Sequence, residues 1–246
     1  ASLRDSFFGF NIFKYITFRA GMAALTTFLL CVVFGPMVIR KLKEWNIKEK
    51  TARDDCPRLS DLHGPKAGTP TMGGIFIIGS IIISVLLWAD LSNRFVLLTL
   101  LVCVWLAVLG GIDDYIKLTR KGQRGLRAKT KLYWQFVLGC IVGIFIYLDP
   151  STSTQLDVPF LKNLAIDLGL FYVPFAILII VGTSNAVNLT DGLDGLAIGC
   201  VLMVTMALSI LSYISGHLRF SEYLFIPYIP GAGELTIFCA AILGAS

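Results

Sequence analysis

Apolar windows of about 20 residues recur along this chain, and few folds accommodate them. A bilayer core about 30 Å thick is crossed by about 20 residues of helix, so each window predicts a transmembrane helix. The chain has 246 residues and only 15% are charged, whereas about 25% are charged in soluble domains. We therefore predict an all-α, polytopic membrane protein with about seven transmembrane helices. The windows are 18–39, 73–90, 94–112, 132–148, 168–184, 195–216 and a segment that starts near 234.

The last window, ELTIFCAAILGAS, has only 13 residues. At 1.5 Å per residue it would span less than about 20 Å, which is too short to cross the bilayer core. The chain also begins with alanine rather than methionine. We therefore expect residues 1–246 to form a single transmembrane domain that is incomplete at its C-terminus.

Lysine and arginine are concentrated in the loops 40–72 and 113–131, which hold 15 of the 21 basic residues. Basic residues in short loops stay on the cytoplasmic side of a membrane. This distribution predicts that the N-terminus is outside and that the loop 185–194 is cytoplasmic by alternation. The net charge of +5 is thus explained by membrane orientation, and we predict no nucleic-acid partner.

Two adjacent aspartates, Asp113 and Asp114, end the third window in the sequence GGIDDYIK. Lys117 follows Asp113 by four residues, so on a helix it could compensate one of the two carboxylates. Taken alone, such a pair could simply be solvated at a helix end, and that alternative stays open.

A second acidic pair, Asp191 and Asp194, lies in the stretch NAVNLTDGLDGL between two apolar windows. On a helix these carboxylates would share a face, and Asn188 would lie on the same side. No lysine or arginine is close to them in the chain. The plainer alternative is a turn that supplies the N-cap of the sixth helix.

All four aspartates are predicted on one face of the membrane, where uncompensated carboxylates cost free energy. Mg²⁺ would compensate them, because it takes oxygen ligands and often completes its coordination with substrate phosphates. The basic loops beside the acids would then hold an anionic substrate. Carboxylates, a metal ion and lysines together are what phosphoryl transfer requires.

Three motifs, KAGTPTMGG, GGIDDYIK and GTSNAVNLTDGLDGLA, resemble those of the bacterial phospho-MurNAc-pentapeptide transferases. The resemblance runs from Asn11 to Ser246, within the superfamily of polyprenyl-phosphate N-acetylhexosamine-1-phosphate transferases. It implies a Mg²⁺-dependent enzyme of the bacterial inner membrane, with about ten spans in the whole family fold and a cytoplasmic active face. The implied substrates are UDP-MurNAc-pentapeptide and undecaprenyl phosphate, which give lipid I and UMP in the first membrane step of peptidoglycan synthesis. A homodimer is left open.

The resemblance also implies roles for individual residues. The catalytic positions of the family match Asp113, Asp114 and Asp191, which are also implied as metal ligands. Either Asp113 or Asp114 is implied as the base or orienting group for the lipid phosphate. The positions implied in substrate binding are Lys66, Thr71, Lys117, Lys129, Asn188 and Asp194, with Lys131 as a weaker candidate for holding phosphate.

The chain departs from the family pattern at its end. Family members carry a further acidic motif, resembling GDxGS, that supplies a principal metal ligand, and a C-terminal loop with consecutive histidines. Residues 1–246 contain neither motif. We therefore expect this polypeptide alone to be inactive.

Three rival functions stay open. A sister transferase would perform the same chemistry with a different donor, such as UDP-GlcNAc. A cation transporter would use intramembrane carboxylates near the bilayer midplane, whereas these aspartates are predicted at span ends. A structural membrane protein without catalysis would tolerate alanine at Asp113, Asp114 and Asp191.

Overall fold

The computed structural model describes residues 8–44, 72–119, 125–150, 152–157, 165–190 and 195–246. The apolar windows form helices, in which the backbone groups away from the helix ends find their hydrogen-bond partners within the segment. The α-helices of the described residues are α1 (Ile16–Glu44), α2 (Gly73–Trp88), α3 (Arg94–Thr119), α4 (Ala128–Leu148), α5 (Tyr172–Thr190), α6 (Leu196–Ser215), α7 (Leu218–Leu224) and α8 (Leu235–Ala245). Within the described ranges, short 3₁₀ segments lie at Phe8–Lys14, Gly169–Phe171 and Ala232–Glu234.

Each of the seven predicted apolar windows is confirmed as a helix. Five helices are long and apolar enough to cross a membrane, namely α1, α3, α4, α6 and α5 with its preceding 3₁₀ turn. The other two, α2 and α8, are apolar but have only 16 and 11 residues. Helix α1 continues to Glu44, into the first basic loop, and α3 continues past the acidic pair to Thr119.

The main core lies where α1, α2 and α8 pack together. Its buried residues are mostly small or β-branched, including Ala20, Ala23, Val85 and Ala241. Gly244 of α8 lies so close to α1 that a Cβ there would come 2.1 Å from the carbonyl oxygen of Ala24. Small residues let helix backbones approach in this way, which is how helices associate in a membrane where burial from water supplies no drive.

A group of polar side chains joins one end of this core. Arg19 of α1 forms a two-pronged ion pair with Glu234, with Nη1–Oε2 and Nη2–Oε1 distances of 2.9 and 2.5 Å. Arg19 also donates to the carbonyl of Trp88, and Glu234 accepts from the amide of Asp90. The starts of α1 and α8 and the end of α2 therefore lie at the same end of the molecule.

Helices α4 and α5 form a second close pair. Gly139 and Gly143 of α4 face α5, and a Cβ on Gly139 would lie 2.8 Å from the Cα of Ile177. Helices α3 and α4 touch through Trp105 and Trp134, whose rings meet edge to face at 5.7 Å. These contacts place α4 between the acidic end of α3 and the helix that leads to Asp191.

The polar segment between α4 and α5 departs from the all-α prediction. It contains two antiparallel strands, β1 (Gln155–Asp157) and β2 (Ala165–Asp167), with Leu156 opposite Ile166. Three-residue strands carry too little alternation for a sequence pattern to reveal them.

Large apolar side chains cover the outside of the helices. Leu87, Leu178 and Met203 are 65%, 69% and 74% exposed. Apolar surface of this extent is unfavourable in water and suits a bilayer. Together with the five membrane-length helices it identifies a multi-pass membrane protein, and which end faces the cytoplasm stays a prediction.

Candidate active site

The acidic pair lies in the last two turns of α3, where the two carboxylates share one lysine. Lys117 Nζ is 2.7 Å from Asp113 Oδ2 and 3.4 Å from Asp114 Oδ1. The predicted compensation of Asp113 by Lys117 is thus confirmed. The helical spacing of three and four residues brings the ammonium over both acids.

Asp113 also binds the beginning of the segment that leads into α4. Its Oδ1 accepts a hydrogen bond of 2.7 Å from the backbone amide of Leu126. The neighbouring Gly125 packs directly on the carboxylate, since a Cβ there would lie 2.2 Å from Asp113 Oδ1 and 2.9 Å from Lys117 Cε. Both oxygens of Asp113 therefore already have a donor from the protein.

Asp114 is in a different environment from its neighbour. Its side chain is 47% exposed, against 14% for Asp113, and its contact with Lys117 is the longer of the two. Asp114 can therefore offer a carboxylate oxygen to a ligand without breaking a bond to the backbone. Among the described residues no group of three or more acids, histidines or cysteines is placed to hold a metal ion.

The donor chemistry at the end of α3 nevertheless fits Mg²⁺. This ion needs only one or two protein carboxylates and takes its other oxygens from water and substrate phosphate. Asp114 meets that requirement, whereas Asp113 would have to exchange Lys117 or Leu126 for the ion. The structure thus gives Asp113 and Asp114 different environments.

Two further predicted residues lie on the helices next to α3. Lys129 is exposed in the first turn of α4, and Asn188 is exposed in the last turn of α5. Within the described ranges no hydrogen bond or ion pair joins either of them to the acidic pair. Lys131 lies two residues after Lys129, in the same first turn of α4.

Four predicted site residues lie outside the described residues, namely Lys66, Thr71, Asp191 and Asp194. The helix that follows Asp194 begins at Leu196, and its N-cap is Gly195 with φ of 80°. Glycine adopts this left-handed conformation without the strain that a side chain would add. The alternative that the second acidic pair forms a turn before α6 stays a prediction.

Three residues of this region were not singled out from the sequence. Gly125 and Leu126 gave no signal, because one more glycine in a basic loop is unremarkable and the contact uses the backbone of Leu126. Gln135 did give a signal, since a polar residue inside an apolar window is uncommon and often has a specific partner.

Comparison with known proteins gives two family matches. A model described as "Glycosyl transferase family 4" matches residues 95–245, which include the acidic pair and α4 to α8. A model described as "Phospho-N-acetylmuramoyl-pentapeptide-transferase signature 1" matches residues 66–78, a segment that starts at Lys66 and contains Thr71.

Curated relatives match along nearly the whole chain. A phospho-N-acetylmuramoyl-pentapeptide-transferase of Thermodesulfovibrio yellowstonii is 47% identical over 246 residues, which is 99% of this chain and 67% of the relative. Those of Geobacter sp. (strain M21) and Brachyspira hyodysenteriae are 49% and 45% identical, over 96% and 99% of this chain and 65% and 69% of the relatives. The chain thus spans about two thirds of the length of these relatives. Identity of this degree, together with the matched signature, shows that the chain belongs to the phospho-N-acetylmuramoyl-pentapeptide-transferase family.

Proposed function

We propose that the protein containing this chain transfers phospho-MurNAc-pentapeptide from its UDP carrier to undecaprenyl phosphate. A phosphate oxygen of the lipid attacks the β-phosphorus of the nucleotide sugar. The bond from that phosphorus to the bridging oxygen breaks, so UMP leaves and lipid I forms. The observation that carries the proposal is the half-exposed Asp114 carboxylate beside an anchored Asp113–Lys117 pair, at the end of a membrane-length helix.

In this proposal the aspartates have different roles. Asp114 and Asp191 would hold Mg²⁺, which would supply charge neutralisation for the diphosphate when bound. Asp113 fixes Lys117 and the Leu126 amide, and thereby keeps a positive charge next to the reacting phosphates. In this proposal the nucleotide sugar binds on the water side of the site, to Lys66, Thr71, Asn188 and Asp194.

The lipid substrate has a suitable surface on α4 and α5. An open groove of about 590 Å³ runs between these helices, lined by Lys129 and then by apolar side chains such as Leu132, Phe136 and Leu178. A lysine at one end of an apolar groove matches a lipid with one anionic head. Lys129 would hold the phosphate of undecaprenyl phosphate, and Lys131 would be a second contact.

The proposal includes an orientation of the protein in the membrane. We place the N-terminus outside and the ends of α3 and α5 in the cytoplasm of a bacterium, at the inner membrane. Lipid phosphates lie at that interface and the nucleotide sugar is soluble, so both substrates can reach one site. A homodimer stays a prediction.

The test is Mg²⁺-dependent UMP release from UDP-MurNAc-pentapeptide, measured with the protein that contains this chain in detergent with undecaprenyl phosphate. Asp191→Asn is expected to lower the rate at least about 100-fold, since a charge that stabilises the transition state is lost. Asp167→Asn, on the exposed strand β2, is the matched control and should leave the rate unchanged.

The donor decides between the related functions. UMP released from UDP-GlcNAc instead would assign the protein to the sister transferases. No release from either donor by a folded protein would contradict the proposal and favour a carboxylate-based cation transporter, whose aspartates would then bind ions without any nucleotide.

Gly125→Ala tests the anchoring of Asp113. The added Cβ overlaps the carboxylate oxygen, so Asp113 must rotate away and give up the Leu126 amide. We expect UMP release to fall about tenfold to 100-fold, because small displacements in a phosphoryl-transfer site are costly. The melting temperature should hardly change, since only the ends of two side chains move.

Gly110→Ala in α3, the helix that carries Asp113, is the control for that substitution, because its Cβ would meet no atom within 4 Å. Equal activities of the two alanine variants would show that the contact between Asp113 and Leu126 is not needed for the reaction.

A further inference from the structure

Gln135 is a polar side chain fully buried within the apolar part of α4. Its Nε2 donates a hydrogen bond of 2.8 Å to Ser184 Oγ, and its Oε1 accepts one of 2.8 Å from Asn185 Nδ2. Asn185 also donates to the carbonyl of Val181 in its own helix. Both functional groups of Gln135 are thus used, and both of its partners are on α5.

These hydrogen bonds act on a helix pair that is already in close contact. Gln135, Gly139 and Gly143 follow one another at intervals of four residues and so lie on one face of α4. The two glycines allow α5 to approach within contact of its backbone, at Ile177 and Val173. A glycine surface of this kind lets the helices come close. It resists rotation and sliding of one helix against the other less than interdigitating side chains would. The directional bonds of Gln135 restrict those two motions.

The faces of α4 and α5 that carry these contacts also carry residues of the candidate site. One turn before Gln135 on α4 is Lys131, near the start of the helix whose preceding segment binds Asp113 through the Leu126 amide. One turn after Ser184 on α5 is Asn188, the last predicted site residue before Asp191. The Gln135 contacts therefore lie between the helix end that faces the first acidic pair and the helix end that leads to the second.

We propose that Gln135 is a positioning residue that fixes the rotation and register of α5 against α4, and thereby places Asn188 at the end of α5 relative to Lys131 at the start of α4. The inference rests on the proposed function for its kinetic consequence but not for its structural one. It assigns Gln135 no contact with substrate. Its loss should weaken binding of the nucleotide sugar, which Asn188 contacts in the proposed function, more than binding of the lipid.

The first test is kinetic and uses Gln135→Met, which keeps the volume and removes both hydrogen bonds. We expect KM for UDP-MurNAc-pentapeptide to rise about tenfold, with KM for undecaprenyl phosphate within about twofold of the wild type. The matched control is Ser84→Ala, which removes a buried bond of 2.8 Å between α2 and the Ala23 carbonyl, far from the site. A merely structural role would give both variants the same small loss of stability and the same kinetics.

The second test needs no activity. Spin labels at Ala128 and Val187, both exposed near the cytoplasmic ends of α4 and α5, report the distance between these ends in a variant lacking the native cysteines. We expect Gln135→Met to broaden or shift the distance distribution and Ser84→Ala to leave it unchanged.

The two readouts separate the possible failures. An unchanged distance distribution in Gln135→Met, or a KM that rises equally for both substrates, would overturn the inference. An altered distribution in a protein that releases no UMP from either donor would support the register role while rejecting the proposed function.

Discussion

Arg19→Met is expected to lower the free energy of unfolding by about 3–5 kcal/mol, because it leaves Glu234 charged and nearly buried without its cation. The side chains of Arg19 and Glu234 are only 16% and 11% exposed, so water can replace little of the lost interaction. Arg19 also binds the Trp88 carbonyl, so the substitution loosens α1, α2 and α8 together. Thermal or denaturant unfolding of the purified protein in detergent measures the loss.

Two further variants make this expectation specific. Arg40→Met removes an exposed arginine from the other end of the same helix and should change stability by less than about 0.5 kcal/mol. Arg19→Met combined with Glu234→Gln should be more stable than Arg19→Met alone, since no buried charge is left without a partner. If the double variant is no better than the single one, packing of the arginine stem rather than the ion pair would account for the effect.

Gly244→Leu is expected to separate α8 from α1 and to cost about 3 kcal/mol, the upper part of the usual range for overpacking. Even a Cβ at this position would meet the carbonyl oxygen, carbonyl carbon and Cα of Ala24 at 2.1, 2.8 and 2.8 Å. Those atoms belong to the backbone of a helix, so they cannot rotate aside as a side chain can. The whole helix pair must move apart, which also opens the core around Ala23 and Ala241.

The control for this substitution is Gly21→Leu. Gly21 is also a helical glycine of the α1–α8 pair, but it is exposed and its Cβ would meet nothing within 4 Å. The added side chain would point into lipid, where leucine is favourable, so the melting temperature should stay the same. A similar loss in both variants would mean that the flexibility of glycine, rather than close packing, matters at Gly244.

The sequence predicted the helices well because their signal is strong and local. A run of apolar residues long enough to cross a bilayer has few alternatives, so the window 73–90 became the helix Gly73–Trp88 and the window 195–216 became Leu196–Ser215. The pairing of Asp113 with Lys117 was also predictable, since both residues lie on one helix at a fixed spacing.

The contacts between helices were not predictable in the same way. Gln135 and Asn185 are 50 residues apart, and nothing in either neighbourhood names the other as its partner. The different environments of Asp113 and Asp114 depend on the Leu126 amide, a backbone group present in every sequence. Such contacts follow from how the helices pack, which a single sequence specifies only through all its residues together.

The length of α3 has a consequence for how the two substrates meet. Its 26 residues extend about 39 Å, roughly 9 Å more than the bilayer core, so the helix is long enough for its last turns to reach the level of the lipid headgroups. On the proposed function, undecaprenyl phosphate can therefore react without leaving its leaflet, by lateral diffusion to the end of α3. Only the nucleotide sugar has to arrive from the cytoplasm, and only UMP has to depart into it, while the product stays in the membrane where its lipid began.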